Sequence, residues 1–144
     1  MKKEESFCPF CKSCELKCTV GKNELACVLM SSPRLTFGHL LVVPKRHVVR
    51  PWELSDDEMM NIWWLIKKYQ KLLSERVGEG CDVRENFRPF LKQGRLKVDH
   101  LHWHLIPRVN KDEIYEKSQF GERELFRDAE ENEKVKLEEL LMRR

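Results

Sequence analysis

The chain is poor in the features that mark membrane, exported and fibrous proteins. No apolar run reaches the roughly 20 residues of a membrane-spanning helix. The opening Met1-Lys2-Lys3-Glu4-Glu5 lacks the apolar stretch of a secretory signal, so the expectation is a cytoplasmic protein with no membrane partner. Neither an internal repeat nor a low-complexity linker interrupts it. Charge of one sign is not in excess: 27 Lys and Arg face 24 Asp and Glu, for a net charge of +3. That balance gives no reason to invoke nucleic acid, yet it permits a locally basic pocket. What remains is 144 residues, 41% hydrophobic and 35% charged, enough for a globular unit with a real core.

Histidine is also scarce, with five in the chain, and its distribution is informative. Three of them alternate with apolar residues in His100-Leu101-His102-Trp103-His104-Leu105-Ile106-Pro107-Arg108. On a strand they share one face, roughly 6.6 Å apart at ~3.3 Å per residue, while Leu101, Trp103 and Leu105 point to the other. A helix is excluded because positions two apart do not share a helix face and Pro107 closes the segment. A row of imidazoles can attack, donate protons or bind metal near neutral pH.

Elsewhere the pattern is mixed. Residues 1–20 read as a cysteine-rich knuckle belonging to the same domain as a 21–110 core, and residues 111–144 as a C-terminal extension. Glu24 to Met30 and Gly38 to Pro44 read as strands, the second well buried and closed by proline. Ser55-Asp56-Asp57-Glu58 is a capping-box pattern, and a helix is expected from there to about Val77, ended by Gly78 and Gly80. Met59, Ile62, Trp63, Ile66, Tyr69, Leu72 and Leu73 mark its apolar side, broadened by Met60, Trp64 and Leu65, which predicts a well-covered helix. Cys81 to Leu91 reads as a third strand, followed by the basic loop Lys92–Lys97 and the histidine strand. From about Gly121 a charged helix is expected, with Leu125, Phe126, Ala129, Leu137, Leu140 and Leu141 available to dock. Strands around one central helix, then a terminal helix, give an α+β class with an antiparallel sheet.

Four of the six cysteines crowd into Cys8, Cys11, Cys14 and Cys18. Without an export signal, metal or free thiols are expected rather than a disulfide framework. Cys27 and Cys81 read as inert buried thiols. Cys8-x-x-Cys11 has the tight spacing of a tetrahedral zinc site. The other two ligands are open at this point, and an all-cysteine set of Cys8, Cys11, Cys14 and Cys18 is one solution.

The run from His100 to Ile106 resembles the signature of the histidine triad (HIT) family, three histidines alternating with apolar residues. Gly38-His39-Leu40-Leu41-Val42-Val43-Pro44-Lys45-Arg46-His47 resembles that family's upstream Gly-His, apolar strand, Pro-Lys-x-His segment. The resemblance implies a five-stranded antiparallel sheet with a central helix, and a homodimer. It implies hydrolysis at the α-phosphate of a nucleoside phosphate conjugate, a dinucleoside polyphosphate or a phosphoramidate, through a nucleotidyl-histidine. His102 is the implied nucleophile, its other nitrogen held by a carbonyl near His100. His104 is the implied phosphate or leaving-group contact, acting as an imidazolium, and His39 has a supporting role. The resemblance also offers a mixed zinc set, Cys8, Cys11, His47 and His100, which closes a structural site and leaves Cys14 and Cys18 as surplus thiols.

The chain departs from the family in instructive places. Leu25 to Ser32 carries no carboxylate where relatives often hold the ribose hydroxyls; Ser31 or Ser32 is the remaining polar group. Lys97 stands where many relatives have Ser or Thr as a phosphate donor. Asn86 and Gln93 flank the position where relatives place an amide, which Pro89 occupies here. With Arg84, Arg88, Lys92, Arg95 and Lys97 nearby, the mouth is basic and suits a highly charged substrate. A zinc-containing nucleotide-binding module without catalysis is the alternative reading. Processing of nucleic-acid ends is disfavoured because no cysteine or histidine follows Arg108.

Overall fold

In the computed structural model, residues 8–142 are described, and the chain divides into two compact units that meet between Asn110 and Lys111. The first seven residues of the expected knuckle, including the opening Met-Lys-Lys, lie outside the described residues.

The first unit is a five-stranded antiparallel sheet in the order β1-β2-β3-β5-β4. The strands are β1 Thr19–Lys22, β2 Ala26–Met30, β3 Leu40–Pro44, β4 Gly80–Glu85 and β5 Trp103–Arg108. Asn23 makes the β1–β2 turn, its Oδ1 accepting from the backbone of Leu25 and Ala26, an Asx turn. β1 begins inside the segment expected to be knuckle, because Thr19 to Lys22 pairs with β2 along the sheet edge.

Alternation assigns the faces. Ala26, Val28, Leu40, Val42, Trp103 and Leu105 meet Ile62, Leu65, Ile66 and Leu73 of α1, Asp56–Arg76. Cys27, Leu29, Leu41 and Val43 face the opposite way, against Phe10, Cys14 and Cys18. With both faces covered, β2 is buried from Ala26 to Leu29 and β3 is buried throughout, as the apolar Gly38–Pro44 run requires.

The capping box forms as read: Ser55 Oγ accepts from Glu58 N, and Glu58 reaches back to Ser55 N. The helix is covered on one side only, contrary to expectation. Met60, Trp63 and Trp64 are 60%, 52% and 69% exposed, because a stripe broader than the sheet can cover leaves its flank outside. The strand expected from Cys81 to Leu91 ends at Glu85, and residues 86–99 leave the ladder as a long connection. Pro89 in that stretch has no N–H to give a ladder.

The second unit holds the π turn Tyr115–Gln119, the short helix α2 Phe120–Arg123 and the helix α3 Glu131–Met142. The single helix expected from Gly121 is thus broken at residues 124–130. Leu125, Phe126, Leu137, Leu140 and Leu141 are exposed.

Candidate active site and metal centre

β5 starts at Trp103, so of the three alternating histidines only His104 lies in the ladder. His100 and His102 precede it in an extended segment whose Leu101 N–H donates to Val48 O at 2.6 Å rather than to a strand. The alternation nevertheless holds. Leu101, Trp103 and Leu105 enter the core against α1, and the imidazoles gather on the other side. The His102 and His104 rings lie 4.9 Å apart, and Phe10 sits edge-on to His100 and His102 at 6.0 and 5.4 Å.

Backbone partners fix the tautomers. His102 Nδ1 meets the carbonyl of His100 at 2.7 Å. A carbonyl only accepts, so Nδ1 carries the proton and Nε2 keeps its lone pair. Leu35 N–H donates to His39 Nδ1 at 3.0 Å, which places the His39 proton on Nε2. That nitrogen lies 2.9 Å from His104 Nδ1 and donates to it, leaving the His104 proton on Nε2. His100 Nε2 donates to the carbonyl of Pro44 at 2.8 Å, so its Nδ1 is an unprotonated ligand. Three backbone groups thereby set four rings. Gly38 makes the turn into His39 possible: its φ is +83°, and a Cβ there would stand 2.9 Å from Val77 Cγ1.

Burial holds these rings uncharged. The pKa of His102 is lowered by burial. His39 is pushed down to about 4 by burial, Arg84 and His102. His104, opposite Arg84 in the strand register, is pushed to about 3 by burial first and then by His102, His39 and Arg84. The free site thus favours a neutral His104 over the expected imidazolium, and its Nε2–H is the donor it offers.

Two cavities meet at this row. One, of about 570 Å³, is lined by His39, His102, His104, Ser31, Ser32 and Asn86, among others. Its neighbour, of about 510 Å³, is lined by Asn86, Gln93, Lys97, His100 and His102, among others. His102 and Asn86 belong to both. Gln93 and Lys97 belong to the neighbour alone, where Gln93 Oε1 accepts from Asp99 N at 3.0 Å and the Lys97 amine pairs with the Asp99 carboxylate. Two residues facing the histidine cavity escaped the sequence reading. Phe10 was hidden between two cysteines, and Arg34 in the connection between two expected strands; a guanidinium beside Ser31-Ser32 was the available signal.

Cys8, Cys11, His47 and His100 come together with all four ligand atoms within 4.8 Å of one another. Cys8 Sγ and Cys11 Sγ lie 3.3 and 3.8 Å from His100 Nδ1, and Cys11 Sγ lies 3.3 Å from His47 Nδ1. Tetrahedral zinc with bonds of about 2.3 Å to sulfur and about 2.0 Å to nitrogen needs S–N edges near 3.5 Å, so the donor set fits a metal ion. The all-cysteine alternative does not assemble. Cys14, on a single helical turn at Ser13–Glu15, packs against the sheet face carrying Cys27, Cα atoms 5.6 Å apart. It is thus part of the core on that face, turned away from Cys8 and Cys11. Cys81 remains a thiol, its pKa raised to about 11 chiefly by burial.

The fold and site together define an antiparallel-sheet domain with a row of tautomer-locked imidazoles beside a cavity. The HIT domain family model matches residues 16–111, and the chain belongs to that family. Adenosine 5'-monophosphoramidase hnt1 of Schizosaccharomyces pombe is 31% identical over 108 residues, covering 66% of this chain and 74% of that protein. Bis(5'-adenosyl)-triphosphatase of Dictyostelium discoideum is 32% identical, covering 65% of this chain and 64% of that one. A crystal structure of a HIT family member from Bacillus subtilis superposes with a TM-score of 0.63 at 26% identity, covering 72% and 74% of the two chains.

Proposed function

We propose that this chain hydrolyses nucleoside phosphate conjugates at the α-phosphate, through a nucleotidyl intermediate on His102. The observation that carries the reading is the 2.7 Å bond from His102 Nδ1 to the His100 carbonyl, which leaves Nε2 an uncharged nucleophile at the junction of two cavities. A neutral imidazole approaches an anionic phosphorus without charge repulsion and splits one displacement into two easier ones. Nε2 forms the bond to phosphorus. The bond from phosphorus to the leaving oxygen or nitrogen breaks and its electron pair departs with that group, which the His104 Nε2–H steadies by a hydrogen bond and which takes its proton from solvent water. Water then attacks the same phosphorus, the Nε2–phosphorus bond breaks with its electron pair returning to His102, and the proton lost by the water passes to solvent. His39 keeps the His104 proton on the cavity side. Asn86, Gln93 and Lys97 are assigned to substrate binding. The relatives named for phosphoramidate and dinucleoside triphosphate hydrolysis support the same reaction class.

Zn²⁺ is assigned to Cys8, Cys11, His47 and His100. Four protein donors leave no open coordination position, so the ion supplies a structural cross-link. The working unit is read as a cytoplasmic homodimer. Exposed Met60, Trp63 and Trp64 on α1 form a surface suited to a second copy, and no described helix is long and apolar enough to cross a membrane.

The test is turnover of adenosine phosphoramidate and of diadenosine tri- and tetraphosphate by the wild type and by His102→Ala. Expected are turnover of at least one substrate, an acid-labile phosphorus–histidine adduct in quenched wild-type reactions, and loss of turnover with nucleotide binding retained in the variant. Equal turnover by the two proteins would sink the assignment. Binding without turnover by the wild type would identify a binding module instead.

A further inference from the structure

Four arginines of the sheet unit pair with carboxylates, and three others gather at one cavity. Arg46 holds Glu58, Arg50 holds Glu53, and Arg84 and Arg108 both hold Asp82. Arg34, Arg88 and Arg95 have no carboxylate partner among the described residues; the bond recorded for them is from Arg88 Nη2 to Asn86 Oδ1 at 3.5 Å. These three line the cavity that holds His39, His102 and His104, and no Asp or Glu lines it with them. They reach it from two segments, Arg34 from the β2–β3 connection and Arg88 and Arg95 from the connection after β4.

The charge of a substrate must be met by something. Each histidine ring facing the cavity carries a single ring proton set by its hydrogen-bond partners, so these rings contribute hydrogen bonds but no formal charge. Lys97, in the neighbouring cavity, is already neutralised by Asp99. The unspent positive charge at the histidine cavity is therefore carried by the three guanidiniums. Guanidinium forks suit phosphate oxygens, which they bind by paired, charge-assisted hydrogen bonds. A phosphoramidate presents one phosphate to such an array, whereas a polyphosphate chain adds a negative charge with every further phosphate.

We propose that Arg34, Arg88 and Arg95 form an anion clamp that makes this site select nucleotides whose leaving group carries further phosphates over nucleotides that release an amine. The clamp rests on the hydrolase reading for its substrate, but it binds polyphosphate whether or not the chemistry occurs. It is a specificity device of this chain's own loops. It assigns a function to Arg34, which the triad segment does not reveal, and it separates Arg95, which lines the histidine cavity and not its neighbour, from Lys92 and Lys97, with Arg88 lining both cavities.

Two measurements on the full chain test it. In the first, kcat/KM is determined for diadenosine tetraphosphate and adenosine phosphoramidate with the wild type and with Arg34→Gln/Arg88→Gln/Arg95→Gln. Each charge-assisted contact is worth about tenfold, so the ratio of tetraphosphate to phosphoramidate efficiency should fall about a hundredfold or more, chiefly through the tetraphosphate KM. Its salt dependence should flatten in the variant, because screening acts on exposed charge. Equal losses on both substrates, or no loss, would overturn the clamp. In the second, calorimetry follows inorganic tripolyphosphate binding to the same proteins, with metal content and thermal midpoint confirming that the variant is folded. Binding by the wild type that disappears in the variant supports the clamp even if neither nucleotide is hydrolysed, in which case the hydrolase reading alone falls. Equal binding, or none by the wild type, refutes the clamp.

Discussion

Glu58 shows how much one side chain can carry. Its carboxylate accepts from Arg46 Nε and Nη2 at 2.7 and 2.8 Å and from Ser55 N at 2.8 Å, joining the end of β3 to the start of α1. These donors hold its pKa down to about 2 from the ordinary 4.5, the Arg46 bond being the largest cause. The unfolded chain therefore binds this proton first as pH falls. The stabilisation is complete above about pH 4.5 and is lost between there and about pH 2. Arg46 is half exposed, so the contribution is of order 1–2 kcal/mol rather than the full shift. Urea titrations from pH 7 to pH 2.5 should show Glu58→Gln losing about that much at neutral pH and converging on the wild type in acid; a constant difference across that range would contradict the account. This contact was half legible from sequence. The capping box announced Glu58 as a helix-start residue, but nothing in the local pattern named Arg46 as its partner, because that pairing depends on how the chain returns.

At the scale of elements, the sheet's alternation was readable and its edges were not. Ala26 to Met30, Leu40 to Pro44 and the helix emerged from periodicity, since burial on defined faces leaves a repeating mark. β1 left none: Thr19 to Lys22 is short, half exposed and at an edge. The end of β4 at Glu85 was missed because Phe87, Phe90 and Leu91 carry apolar residues on past it, although Asn86 and Pro89 are types a central strand disfavours. The turn into β3 is a place where backbone and chemistry meet. Gly38→Ala would place a methyl group 2.9 Å from Val77 and 3.1 Å from Pro107 at φ +83°. We expect a stability loss of about 2–4 kcal/mol in denaturant titration, together with reduced turnover as His39 leaves His104. A variant of unchanged stability and rate would show that the turn is not constrained.

At the scale of the whole molecule, the metal donors come from distant stretches of chain: Cys8 and Cys11 near the start, His47 after β3 and His100 before β5. Local spacing exposed the cysteine pair, but only family resemblance suggested the two histidines, because ligands this far apart in sequence leave no local pattern. The packing of Cys14 against the sheet face carrying Cys27 was invisible for the same reason. Removal of the ion by a chelator, or Cys8→Ser/Cys11→Ser, should lower the thermal midpoint and reduce kcat about 10- to 100-fold, as loss of support around a functional group does, with KM little changed. Metal analysis of the purified protein should give zinc near one equivalent per chain. A chain that lacks metal yet turns over normally would contradict the assignment.

His100 has no idle polar atom on its ring or its carbonyl. Nε2 is tied to Pro44, Nδ1 faces the two sulfur atoms, and the carbonyl oxygen holds the His102 ring, the proposed nucleophile, in register. One residue is thus anchor, ligand and tuner at once. The N-terminal cysteine segment is thereby linked to the His102 ring through a single residue, so on the proposed mechanism damage to that segment would silence turnover while the pocket stayed intact.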